Sequence, residues 1–149
     1  MKAIGTWKGG YQTRLEDGRG HSLTVDLPPD EGGRDLGTSG LELLVVSLAG
    51  CITTIFAVVA KKRKLNFEAM SIGLEAKRPG GSATVTSVAG TLHLVTAASM
   101  EEVQTALEIT LRTCPVGVVF ERAKIPVHVH AIVTPPVTAQ LEEVLLNRS

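Results

Sequence analysis

Cys51 and Cys114 are the residues of this sequence best equipped for covalent chemistry. A thiolate is a nucleophile that passes reversibly through a sulfenic acid or a disulfide, so a pair of thiols points to redox work. The two lie far apart in the chain and form no C-x-x-C redox or zinc motif, so the fold must bring them together if they cooperate. A free cysteine also serves as a small core hydrophobe, and spacing alone does not exclude that role for either one. Cys114 is the more suggestive, because Pro115 suits the first position of a new helix and a helix N-terminus lowers a thiol's pKa. Cys51 falls in mid-helix and needs a nearby cation instead.

Histidine offers a weaker signal. His128 and His130 share one face of an alternating segment, and His93 is a conceivable third metal ligand. No Asp, Glu or Cys accompanies them at ligand spacing, so a water-facing sheet surface is the better reading. His21 reads as a strand or turn residue. The Gly-rich stretch before residue 41 lacks the phosphate-cradling GxxxxGK[ST] pattern, and no serine nucleophile elbow occurs. No metal and no cofactor is expected.

Two predicted helices must position the thiols. Residues 41–60 read LELLVVSLAGCITTIFAVVA. Ser39 with Glu42 forms a capping box at the start, and Lys61-Lys62-Arg63-Lys64 complements the dipole at the end. The run is long enough to span a bilayer. Glu42, the Ser-Gly-Cys-Thr-Thr vein and the amphipathic strands on both sides favour a helix buried on nearly every face, with a second subunit supplying part of the cover. Ser99-Met100-Glu101-Glu102 opens a further helix that carries Val103, Ala106, Leu107, Thr110 and Cys114 on one stripe. Around the helices, turns at Gly9-Gly10 and Asp17-Gly18 and alternation over 22–27 predict an N-terminal β-region ended by Pro28-Pro29. Two strands over about 70–77 and 88–94 join through Pro79-Gly80-Gly81. A last strand covers 125–133, and a tail helix is expected over 138–146. The expectation is a single domain over residues 1–149 with its core in about 1–133.

The bulk numbers exclude several classes of function. Fifteen Lys and Arg balance fifteen Asp and Glu, and aromatics make up 3%. Neither a phosphate-binding field nor a base-stacking surface follows, so nucleic acid is not an expected partner, and no membrane is expected either. No secretory signal is evident at the N-terminus, which points to the reducing cytoplasm.

Several short motifs now fall into order. Gly20-His21-Ser22-Leu23-Thr24-Val25-Asp26, then Gly32-Gly33-Arg34-Asp35-Leu36-Gly37, then Leu41-Glu42-Leu43-Leu44 with Ser47-Leu48-Ala49-Gly50-Cys51, and finally Cys114-Pro115-Val116 resemble the OsmC/Ohr family (osmotically inducible protein C and organic hydroperoxide resistance). The resemblance implies an α+β OsmC-like fold: an intertwined homodimer with two buried central helices flanked by antiparallel-rich sheets. It also implies a thiol peroxidase in oxidative-stress defence, with Cys51 attacking an organic hydroperoxide, Cys114 resolving the sulfenic acid to a disulfide, and a dithiol resetting the pair. In the peroxidase branches a catalytic Glu belongs to an "NPE" helix start. That position is Leu41 here, and Glu42, one residue later, falls nearly opposite Cys51 on a regular helix. The prolines usual at positions matching Thr38 and Gly40 are also missing. The family's thiolate-stabilising Arg has three candidates, Arg14, Arg19 and Arg34, of which Arg14 in the first hairpin is preferred. The departures at the helix start leave a second reading: an OsmC-like dimer that binds a small apolar or thiol-reactive ligand without turnover.

Overall fold

Glycine-bearing turns fold the N-terminal segment back on itself twice. Strands β1 (Ile4–Gly9), β2 (Gln12–Glu16) and β3 (Ser22–Val25) form an antiparallel sheet in that order. Gly10, at φ 55°, takes the left-handed conformation that a tight β1–β2 turn requires. The structure, a computed structural model, describes residues 1–137; the expected tail helix lies outside the described residues. Contacts divide the chain into a unit of Met1–Val46 and a unit that starts at Ser47.

In the first unit, one carboxylate organises the loop after β3. Asp26 is buried, and its oxygens accept from the backbone N–H groups of Leu27 (2.9 Å), Arg34 (3.3 Å) and Leu36 (3.3 Å). Burial pushes the Asp26 pKa up, but these three donors and the Arg34 charge outweigh it and leave the carboxyl below its ordinary value. The loop lies so close to β3 that a Cβ on Gly33 would sit 1.8 Å from the Leu27 carbonyl oxygen, and one on Gly37 2.2 Å from that of Thr24. Only glycine fits either place. The sheet itself has no core: no apolar side chain of this unit is buried, and Ile4, Trp7, Tyr11, Leu23 and Leu36 are exposed.

Helix α1 (Gly40–Arg63) starts as its capping box requires, with Ser39 N–H donating to the Glu42 carboxylate at 2.7 Å and Glu42 N–H donating to the Ser39 hydroxyl oxygen at 3.3 Å. It has the length and apolarity of a membrane span, with mean hydropathy 2.5 over its most apolar window. Yet Leu48, Ile52, Phe56, Val59 and Ala60 are buried within protein, as in a core helix.

In the second unit, β4 (Ala69–Lys77) and β5 (Ser87–Val95) pair antiparallel, and β6 (Val127–Thr134) pairs parallel to β5. A parallel pair needs a crossover, and helices α2 (Met100–Thr113) and α3 (Pro115–Arg122) supply it. Phe56 and Ala60 of α1, Leu92 and Leu94 of β5, and Val103, Ala106 and Leu107 of α2 form one buried cluster. The opposite face of β6 carries His128 and His130, both exposed.

Asp26→Asn is expected to lower Tm at neutral pH. The folded-state pKa of Asp26 lies below the ordinary 3.8, so its stabilisation is complete above that value and is lost as pH falls through the depressed one. Thermal melts across that range should show the gap between variant and wild type closing in acid.

Candidate thiol site

The second cysteine owes its position to a helix break. A full capping box starts α2, in which the Ser99 hydroxyl accepts from Glu102 N–H and the Glu102 carboxylate accepts from Ser99 N–H. Val103, Ala106, Leu107 and Thr110 form its buried stripe. Pro115 lacks an N–H and disfavours helical geometry in the residue before it, so Cys114 turns extended at φ −65°, ψ 113°. Cys114 thereby ends α2 and caps α3: its N–H donates to the Thr110 carbonyl at 2.8 Å, and its Sγ accepts from Gly117 N–H at 3.3 Å.

Cys51 approaches from the middle of α1, half-buried and next to the fully buried Ile52. The Cys114 thiol donates to Cys51 Sγ across 2.7 Å, and both cysteines are free. From this separation a disulfide, with its S–S bond of about 2.05 Å, needs only a small side-chain adjustment.

The electrostatics of Cys114 differ from the simple expectation for a helix N-terminus. Burial, first, and the hydrogen bond and charge of Cys51 push its pKa up to about 11, and the N–H groups of Gly117 and Val116 offset this only in part. Desolvation outweighs the helix start because the side chain is wholly shielded from water. Cys114 is therefore a protonated donor at neutral pH.

The other residues singled out from the sequence sit as follows. Arg14 pairs with Glu16 at 3.0 Å, Arg19 with Asp17 at 2.9 Å, and Arg34 donates to Gln12 Oε1 at 3.1 Å. Glu42 serves the helix cap and also accepts from the Thr38 hydroxyl at 3.3 Å. Each of these contacts lies within the first unit. His21 holds Asp17 at 2.8 Å, and His130 Nε2 meets the Thr91 hydroxyl at 3.0 Å. Among the described residues, no three His, Cys, Asp or Glu side chains gather as a metal site would require.

Sequence reasoning missed a cavity of about 450 Å³ that reaches Cys114. Leu48, Ile52, Leu111, Ile125 and Val127 supply apolar walls, while Arg112, Lys124 and Glu121 bring charge; Cys51 is not among the lining residues. Arg112 had a faint signal, as a cation in the turn before the second cysteine. Lys124 had none, because its place depends on the left-handed turn (φ 58°) that links α3 to β6.

Cys114 at a pKa of about 11 is about one-thousandth ionised at pH 8. Brief treatment of the reduced protein with iodoacetamide at that pH should label Cys51 well before Cys114, as read by peptide mass mapping.

The fold and the sequence both have known counterparts. Residues 32–130 match the family model for OsmC-like protein. An OsmC-like protein from Mycoplasma pneumoniae superposes with a TM-score of 0.75 at 13% identity, over 90% of this chain and 95% of that one. An organic hydroperoxide resistance protein from Legionella pneumophila gives a TM-score of 0.70 at 20% identity, over 88% and 96%. One from Elizabethkingia anophelis gives 0.68 at 18% identity, over 90% and 94%. No curated protein matches the sequence. With most of its length matched by the family model, the chain belongs to the OsmC-like family.

Proposed function

We propose that the protein is a two-cysteine thiol peroxidase that reduces organic hydroperoxides. The observation that carries this reading is the contact between the two sulfurs, 2.7 Å apart, with Cys114 as proton donor to Cys51. Cys114 holds its proton and Cys51 is the more open of the two, which makes Cys51 the nucleophile of this reading. Cys51 thiolate then attacks the distal oxygen of ROOH, the O–O bond breaks, and ROH leaves after taking a proton. The sulfenic acid on Cys51 and the thiol of Cys114 condense to a disulfide and water, and a dithiol returns both to thiols. The hydroperoxide resistance relatives are consistent with this chemistry.

A homodimer is part of the same proposal. Val46, Gly50, Thr54 and Val58 recur every fourth residue on α1 and are exposed, and a Cβ on Gly50 would meet nothing within 4 Å. Such a stripe suits close packing against a second copy of the helix. A second copy also offers cover for the coreless first sheet, since three strands need a buried face to be stable. Arg14 remains the candidate cation for the thiolate. Its ion pair with Glu16 is exposed, so exchanging that partner costs little. A reducing compartment such as the cytoplasm keeps the resting pair as thiols.

The cavity beside Cys114 favours a second reading, in which a small apolar ligand binds without turnover.

Intact mass before and after one equivalent of an alkyl hydroperoxide separates the two. The wild type should lose about 2 Da within seconds, and Cys114→Ser should gain about 16 Da on Cys51. No change over minutes would overturn the peroxidase reading and leave ligand binding. Light scattering should give twice the 15.7 kDa chain mass, and Val58→Glu should shift the protein toward monomer.

A further inference from the structure

Helices α1 and α2 enclose a second hollow, a groove of about 370 Å³ that shares no lining residue with the cavity beside Cys114. Ile55, Val58 and Val59 of α1 and Ile109 of α2 supply its apolar walls, and Lys62 and Arg63 bring its only charges. The remaining lining residue, Thr113, donates its hydroxyl proton to the Ile109 carbonyl at 2.7 Å. Lys62 and Arg63 are exposed, and with Lys61 and Lys64 they form a run of four cations. Among the described residues none of the four forms an ion pair. The negative end of the α1 dipole amounts to about half a charge, so it offsets only a small part of that run. Glu102 feels the charge of Arg63, but its carboxylate is held first by the N–H and the hydroxyl of Ser99, at 2.9 and 2.8 Å.

We propose that this groove binds a free medium-chain carboxylate, with its hydrocarbon chain against Ile55, Val58, Val59 and Ile109 and its carboxylate at Lys62 and Arg63. From Ile55 to Lys62 the helix rises about 10 Å, which suits a chain of roughly eight carbons. The apolar walls accept any hydrocarbon of that length, and the two cations select the anion over its neutral counterpart. Exposed ion pairs are individually weak, so the selection is modest, roughly fivefold or more from two cations acting together. Val58 also belongs to the exposed stripe of α1, so the groove borders the surface assigned above to a second copy. Cover by that copy is the competing occupant. Neither cysteine lines the groove, and the assignment stands apart from the peroxidase reading.

Isoleucine methyl resonances tell the two hollows apart, because Ile55 and Ile109 line the groove and Ile52 and Ile125 line the cavity beside Cys114. The full chain, reduced and isotope-labelled at its isoleucine methyls, is titrated at neutral pH with octanoate and, separately, with octan-1-ol. Octanoate is expected to shift Ile55 and Ile109 saturably and to bind roughly fivefold or more tightly than octan-1-ol. Lys62→Gln combined with Arg63→Gln removes two exposed cations and no buried side chain. In that variant octanoate is expected to fall to the affinity of octan-1-ol, whose own binding stays unchanged. Equal affinity of the two ligands for the wild type, or octanoate binding indifferent to the double substitution, would overturn the proposal. So would octanoate shifts confined to Ile52 and Ile125, which place the ligand in the other cavity. The absence of any saturable shift at Ile55 and Ile109, as when a second copy covers the groove, would overturn it as well. The mapping uses the wild-type chain and does not depend on the variant folding.

Discussion

A proline cannot continue a helix, and the position of Pro115 directly after Cys114 decides how the second thiol is presented. Were α2 to run on regularly, Cys114 would be one more residue on its buried stripe after Thr110. The break makes the same residue the cap of α3, so its sulfur lies at a corner where two helices meet and where α1 brings Cys51. Burial, more than any other influence, then holds the Cys114 thiol protonated. The asymmetry of the pair follows from desolvation, which penalises the thiolate on one side of the contact.

The helix that carries Cys51 has two kinds of surface. Leu48, Ile52, Phe56, Val59 and Ala60 are buried, the last three in the second unit's own cluster, whereas the positions from Val46 to Val58 at four-residue spacing are open. A single chain thus satisfies one side of an apolar helix and leaves small residues on the other. In the first unit, Asp26 compensates for the lack of a core by tying the Gly-rich loop to β3 through backbone hydrogen bonds.

Much of this was legible in the sequence because it rests on local rules. Both capping boxes, the buried stripe of α2, the strand alternation and the proline that starts α3 follow from periodicity and backbone chemistry, and the structure bears them out. The meeting of Cys51 and Cys114 was legible only through resemblance, since no spacing rule relates residues so distant in the chain. The raised pKa of Cys114 reverses the expectation from its helix-start position, because burial depth is a tertiary property that a local motif does not contain. The cavity was invisible for the same reason: its walls come from α1, α2, α3 and the start of β6. The part played by Asp26 was equally hidden. Its motif was recognisable, but the three N–H donors become partners only once the Gly-rich loop is folded back.

The coreless N-terminal sheet has a thermodynamic consequence of its own. A sheet without buried apolar side chains draws its stability from whatever covers it, and where the cover is a second copy that stability obeys mass action. Melting temperature then becomes a function of protein concentration. In the proposed homodimer, dilution is itself a perturbation of that sheet.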